Sequence, residues 1–187
     1  MRSIYSFIVE PYNKRRYDNV KKIGGTEFIT SVSEEDHESS NRYAKVISLP
    51  LNYNGDISPG DTMLVHHNVF KFYNDMKGKR KSGKSFFKEN LFFIDDDQFF
   101  LYKKNNCWKA HGKYCFVKPI QTEKSIILKN IKYEPLKGIL KYSNKELEKL
   151  GVYEGDKVIF EPNSEYKFDV DGEMLYRMFT NNIKSTL

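Results

Sequence analysis

Apolar positions along the chain fall in short runs broken by Gly, Pro, Asn and Asp, a pattern that predicts strands joined by turns. Residues 4–9 read as a strand closed by Glu10-Pro11, because proline cannot donate to a ladder and restricts the residue before it. Residues 43–49 are the next strand, 52–61 a dense turn signal containing Gly55, Pro59 and Gly60, and 62–67 a third strand. Residues 69–73 and 85–94 read as the arms of a β-hairpin whose tip, 76–84, is basic. Asp95, Asp96 and Asp97 make a turn, 98–103 a last strand, and Asn105-Asn106 the start of a linker.

The pattern then restarts. Residues 114–119, ending Val117-Lys118-Pro119, echo residues 6–11, ending Val9-Glu10-Pro11. Residues 138–141, from Gly138, occupy the place of 44–47; Glu154-Gly155-Asp156 echoes Pro59-Gly60-Asp61; and 174–177 take the place of 91–94. Two tandem copies of one β module are expected, residues 1–105 and 113–187. The first has a long loop over about 12–41 and a basic hairpin over about 74–88, both read by position. The copies differ in length, since Pro11 to Asp61 spans 50 positions and Pro119 to Asp156 spans 37. Copy two keeps Ser125, Ile126, Ile127 and Leu128 as a remnant of the missing segment. It adds a short helix over 143–151, with Ser143 or Asn144 as N-cap and Gly151 as the stop.

The segment peculiar to copy one shows no sustained period of two or 3.6 from Tyr12 to Asn41 and contains the double glycine Gly24-Gly25. Two adjacent glycines carry a large backbone entropy and suit a mobile segment better than a helix or strand interior. Long excursions in compact domains are commonly functional, and here Ile23, Phe28 and Ile29 supply an apolar cluster in otherwise polar surroundings. The competing reading is a β-hairpin with Phe28 and Ile29 turned into the core.

Composition agrees with a folded β protein: 39% of residues are apolar, 15% aromatic, and 13 Tyr with 14 Phe favour pleated sheet. A net charge of +6 and a pI near 9.1 admit nucleic acid, an anionic membrane or an acidic protein as partners. The excess sits in Lys14-Arg15-Arg16, Lys21-Lys22 and residues 77–88, and solvated loops account for it equally well. Cys107 and Cys115 make no disulfide framework, and neither a signal peptide nor an 18-residue apolar run is readable. A cytoplasmic location without membrane attachment is therefore expected.

Residues 78–85 match the P-loop spelling of nucleotide-binding proteins. That motif needs a buried strand before it and a helix N-terminus after it, whereas Phe86-Phe87 continue as strand. Lys79, Arg80, Lys81 and Lys84 are candidates for a nonspecific anion contact. Cys107, His111 and Cys115 are spaced by four but lack a fourth ligand, and Gly112 opposes the helix they would need, so Cys115 reads as a small core residue. His66 and His67, adjacent on an expected strand, would face opposite sides. The aspartate triplet lacks the alternating ligands of a calcium loop. No nucleophile, base and orienter assemble, so neither an enzyme nor a cofactor or metal is expected. Trp108 is expected to pack between the modules.

The order of these motifs resembles the GroES-type co-chaperonin family over nearly the whole chain, as two copies. It runs as a strand ending in Val-X-Pro, a long loop with Gly-Gly, Gly-Asp before an apolar strand, and a final Asp171-Gly172-Glu173 turn. Residues 155–160 with Tyr166-Lys167-Phe168 match best. The resemblance implies an all-β fold of two tandem small β-barrels, a homo-oligomeric ring, and a loop whose apolar residues dock on a GroEL-type chaperonin ring to assist protein folding. Gly24 and Gly25 match the family's loop. Thr26-Glu27 stand where its apolar residues follow the glycines, so the contact falls to Phe28 and Ile29, with Ile23. The short interval between Pro50 and Pro59 resembles phage-encoded members. Two alternatives are a basic β-barrel binding nucleic acid through residues 77–88 with Phe86 and Phe87 as a stacking platform, and a ring protein that has lost chaperonin binding.

Overall fold

A computed structural model describes residues 2–17, 20–23, 26–29, 40–122 and 133–187, with backbone alone for 20–23 and 27–29. Strand accounts for 51% of the chain, against one short helix, so the fold is all-β. The chain divides into two compact units, Met1–Cys107 and Trp108–Leu187.

In the first unit β1 (Phe7–Pro11) leads through a 3-10 turn (Tyr12–Lys14) to β2 (Val20–Ile23), β3 (Thr26–Ile29) and β4 (Tyr43–Ser48). β5 (Thr62–Val65), β6 (Phe72–Asn74), β7 (Arg80–Ser82), β8 (Phe86–Lys88), β9 (Leu91–Ile94) and β10 (Phe99–Lys104) follow. The chain passes along β11 (Cys107–Ala110) into the second unit, which holds β12 (Tyr114–Gln121), β13 (Tyr133–Tyr142), α1 (Lys145–Lys149) and β14 (Lys157–Phe160). It ends with β15 (Tyr166–Val170), β16 (Glu173–Phe179) and β17 (Ile183–Thr186). The larger sheets are antiparallel and open, in the orders β11-β10-β5-β4-β1-β9-β8 and β15-β16-β12-β13-β14-β17.

Read outward from β1 and from β12, these orders are the same over six strands, with β11 at the edge of the first sheet the one strand without a counterpart. β1, β4, β5, β8, β9 and β10 correspond to β12, β13, β14, β15, β16 and β17. Registers agree residue by residue: Val9 faces Val46 and Pro11 faces Ala44, as Val117 faces Leu140 and Pro119 faces Gly138. A register shift between Ile8 and Val9 recurs between Phe116 and Val117. The Gly-Asp turns repeat as well. Gly60 has φ +98° and Gly155 +96°, a region glycine enters without steric cost. The Gly60 amide donates to Val46 O and the Gly155 amide to Leu140 O, both at 2.8 Å. Asp61 Oδ2 accepts from the Ser58 amide, and Asp156 Oδ2 from the Tyr153 amide, again at 2.8 Å each. One equivalence shifts by a residue: Val9 pairs with Phe92 and Val117 with Tyr176, so residues 175–178, not 174–177, stand in the place of 91–94.

Each sheet covers its own core. Phe7, Val9, Val46, Met63, Phe70, Phe92 and Phe99 are buried together in the first unit, and Cys115, Val117, Leu140, Leu147, Val158 and Met178 in the second. Gly138 is required by close approach, since a Cβ there would lie 2.2 Å from Val117 Cγ1 and 2.8 Å from Lys118 O. The helix over 143–151 forms as its caps dictate. Asn144 Oδ1 accepts from the Glu146 and Leu147 amides, while Gly151, at φ +81°, and Val152 return amides to Glu148 O and Leu147 O.

Two expectations are corrected. The single hairpin with arms 69–73 and 85–94 is two hairpins, β6–β7 and β8–β9. Asp75 captures the Lys77 and Lys79 amides and Gly78 turns at φ +71°, which closes the first within a few residues. Asn105 and Asn106 do not open a linker. Both have positive φ (49° and 66°), the signature of a two-residue turn, and they join β10 to β11.

Candidate partner-binding site: the loop stem and the basic hairpin

The excursion between β1 and β4 is closed at its base by backbone and amide hydrogen bonds. Tyr17 bridges Ser40, and the Asn41 amide donates to Arg16 O at 2.9 Å. Asn41 Nδ2 donates to Tyr12 O (2.9 Å) and Arg15 O (2.7 Å), and its Oδ1 accepts from the Tyr43 amide. One side chain thus holds both ends of the excursion.

Beyond this base, β2 and β3 pair antiparallel, Val20 with Ile29, Lys21 with Phe28, Lys22 with Glu27 and Ile23 with Thr26. They form a two-stranded sheet separate from the seven-stranded one. Gly24 and Gly25 lie outside the described residues, as does the remnant Ser125 to Leu128 of copy two. The backbone therefore sets Ile23, Phe28 and Ile29 on a hairpin flanking the glycines, where the sequence shows no strand period.

The stem rests on the basic hairpin. Arg16 lays its guanidinium 4.1 Å from the Phe72 ring centre, 4.7 Å from Phe92 and 5.0 Å from Phe86. It also donates to Ser82 Oγ (3.0 Å) and Glu89 O (3.4 Å). A guanidinium over aromatic faces is held by the ring quadrupole, and its planar fork leaves edges for hydrogen bonds. Burial, and then the charge of Arg80, push the Arg16 pKa below its ordinary value. Tyr17 stacks on Phe72 (6.1 Å, 19°) and accepts the Phe72 amide on its hydroxyl at 2.9 Å. Phe72 carries Arg80 at 3.7 Å as well. Sequence reasoning missed Arg16, because no local signal links residue 16 to rings at 72–92.

Among the candidate anion contacts, Lys79, Arg80, Lys81 and Lys84 are all exposed. Lys81 Nζ lies 3.4 Å from Asp75 Oδ2. The Lys79 amide first, then the Lys77 amide and the Lys81 ammonium, hold the Asp75 carboxyl below the usual range. The P-loop spelling of residues 78–85 falls on β7 and the turn before β8, with strand rather than a helix N-terminus after it.

Elsewhere, His66 and His67 do not face opposite sides. β5 ends at Val65, the Val69 amide closes a turn on His66 O, and the two imidazoles lie 4.1 Å apart. Cys107 is exposed on β11. Cys115 is buried on β12, where burial pushes its thiol up to about 12. Among the described residues no group of three or more His, Cys, Asp or Glu is placed to hold a metal ion. The aspartate triplet is a turn, with the Gln98 amide on Asp95 O and Ser6 Oγ on Asp95 Oδ1. Trp108 is buried and donates its indole N–H to Asp171 Oδ2 at 2.9 Å. Among the described residues no helix is long and apolar enough to cross a membrane.

A comparison with models of known protein families finds no match, and neither does a comparison with curated proteins.

Proposed function

We propose that the chain is a co-chaperonin-like lid of two GroES-like small β-barrels, which forms a homo-oligomeric ring in the cytoplasm. It binds a GroEL-type chaperonin through Ile23, Phe28 and Ile29 around Gly24-Gly25 and needs no cofactor. The observation that carries this reading is the difference between two copies of one strand order. Copy one holds residues 12–42 between β1 and β4, whereas copy two makes the equivalent pairings with residues 122–132 alone. A segment the module does without, tied at its base by Asn41 and Arg16, fits a partner-binding device better than a structural one. Each contact is small. Repetition around a ring supplies avidity, and weak single sites permit the release a cycling lid requires.

Nucleic-acid binding finds less support in the geometry. Phe86 packs edge-on against Phe92, Phe87 tilts onto Phe93 at 4.6 Å, and Phe72 carries Arg16 and Arg80, so these rings are engaged within the protein.

Light scattering with and without a GroEL-type ring and nucleotide tests the reading, using wild type and a Phe28→Asp/Ile29→Asp variant. Both are expected to form the same ring, and only the wild type to shift to the mass of a lid–chaperonin complex. Equal capture of the double variant removes the loop assignment. A ring that never captures leaves a structural ring protein.

A further inference from the structure

The β6–β7 hairpin belongs to copy one alone: β5 and β8 are separated by residues 66–85, but their counterparts β14 and β15 only by 161–165. The repeated strand order is thus complete without it. Its placement is specific, because Arg16 and Tyr17 of the loop stem pack on Phe72 of β6 and Arg16 donates to Ser82 of β7. The stem of the loop insertion is thus packed on the hairpin insertion, at Phe72 and Ser82.

Its chemistry is one-sided. Residues 77–88 contain Lys77, Lys79, Arg80, Lys81, Lys84 and Lys88 and no acid, and all six are exposed. The one acid of the hairpin, Asp75, is occupied by two backbone amides and Lys81. At the turn Met76 is wholly exposed, at 106% of its reference area, and Tyr73 is 48% exposed. An exposed thioether on a hairpin that carries exposed cations fits a protein surface that is acidic with a small apolar centre.

We infer that the β6–β7 hairpin is a second docking element, which recognises an acidic patch on the same chaperonin ring that the loop engages; this rests on the loop reading above. Its long, solvated cations steer the encounter, and the loop then holds the complex. The engaged rings of Phe72, Phe86 and Phe87 favour a protein over a nucleic acid as the occupant.

The test is a Lys77→Glu/Lys79→Glu/Lys84→Glu variant, which spares Arg80 on Phe72 and Lys81 on Asp75. An unchanged urea midpoint verifies its fold. Association with a GroEL-type ring is followed by stopped-flow between 20 and 300 mM salt. Wild type is expected to associate at least about tenfold faster than the variant at low salt, with the difference vanishing at high salt, while dissociation rates stay alike. Equal association at every salt concentration overturns the hairpin inference and leaves the loop reading standing. If wild type does not bind the ring, the loop reading fails, and the hairpin is then judged on poly-glutamate against oligothymidylate of equal charge. Binding to poly-glutamate that the variant loses supports an acidic protein surface; tighter binding to oligothymidylate overturns it in favour of nucleic acid.

Discussion

Arg16 lies against three phenylalanine rings and closes the loop stem with two donated hydrogen bonds. Truncation to alanine removes the ring contacts and leaves Ser82 and Glu89 to water, so Arg16→Ala is expected to cost about 1–3 kcal/mol in urea unfolding. Arg16→Lys should recover less than half of that, since an ammonium has no planar face to lay on Phe72 and no fork to reach Ser82 beside it. Full recovery would mean that charge alone holds the stem. Cys115 has the opposite character, an inert buried thiol on β12. Its pKa of about 12 in the fold, against 9.0 for the free group, has burial as its cause. In the window between those values the unfolded chain releases a proton that the native state keeps. The stabilisation is therefore complete below about pH 9 and fades towards pH 12, at no more than ~1.4 kcal/mol per pH unit. Cys115→Ala should flatten that alkaline slope. In the native protein iodoacetamide at pH 8 is expected to label Cys107 and spare Cys115, as read by peptide mass spectrometry.

At the level of elements, what could be read from sequence is what is written locally. Val-X-Pro ends β1 and lies inside β12, which continues to Gln121, Gly-Asp opens β5 and β14, and Asn144 with Gly151 brackets the helix, because each feature depends on residues within a turn of one another. The β6–β7 hairpin escaped the same reading. Asp75 with Gly78 is a turn signal set among basic residues that read equally well as one solvated hairpin tip. The His66–His67 pair differs from expectation because β5 ends at Val65, two residues before the end of the expected strand 62–67. The role of Arg16 is wholly long-range and left no local trace. The repeat itself makes a quantitative expectation. Asp61→Ala and Asp156→Ala each remove one carboxylate acceptor from the same turn at the same distance, so each should cost about 1 kcal/mol, equal within a few tenths. Asn144 does more, because besides capping α1 it is buried and donates to Tyr114 O and Thr180 Oγ1 at 2.9 Å each. Asn144→Ala is expected to lose about 2–3 kcal/mol, and Asn144→Ser, which keeps the cap acceptor but not the amide donors, about half of that. Equality of the two variants would place the whole effect in the cap.

Taken whole, the molecule has two cores and two copies of one pairing scheme, each copy complete within its own unit. Apart from β11, which pairs with β10, the strands of each unit find their ladder partners within it, and a unit with its own buried apolar cluster is able to unfold as a cooperative body. Two transitions are therefore expected in urea, and the variants above assign them. Arg16→Ala weakens only contacts among residues 16, 72, 82, 86, 89 and 92, all in the first unit, and should lower the midpoint of one transition alone. Asn144→Ala weakens only residues 114, 144, 146, 147 and 180 and should lower the other. Trp108, the sole tryptophan, is bonded to Asp171 and so reports on the second unit by fluorescence, while far-UV dichroism follows both. The expected pattern is a fluorescence midpoint that moves with Asn144→Ala and stays fixed with Arg16→Ala. A fluorescence midpoint shifted equally by both variants would show a single cooperative transition across the chain. The two copies would then be one folding unit despite their separate cores.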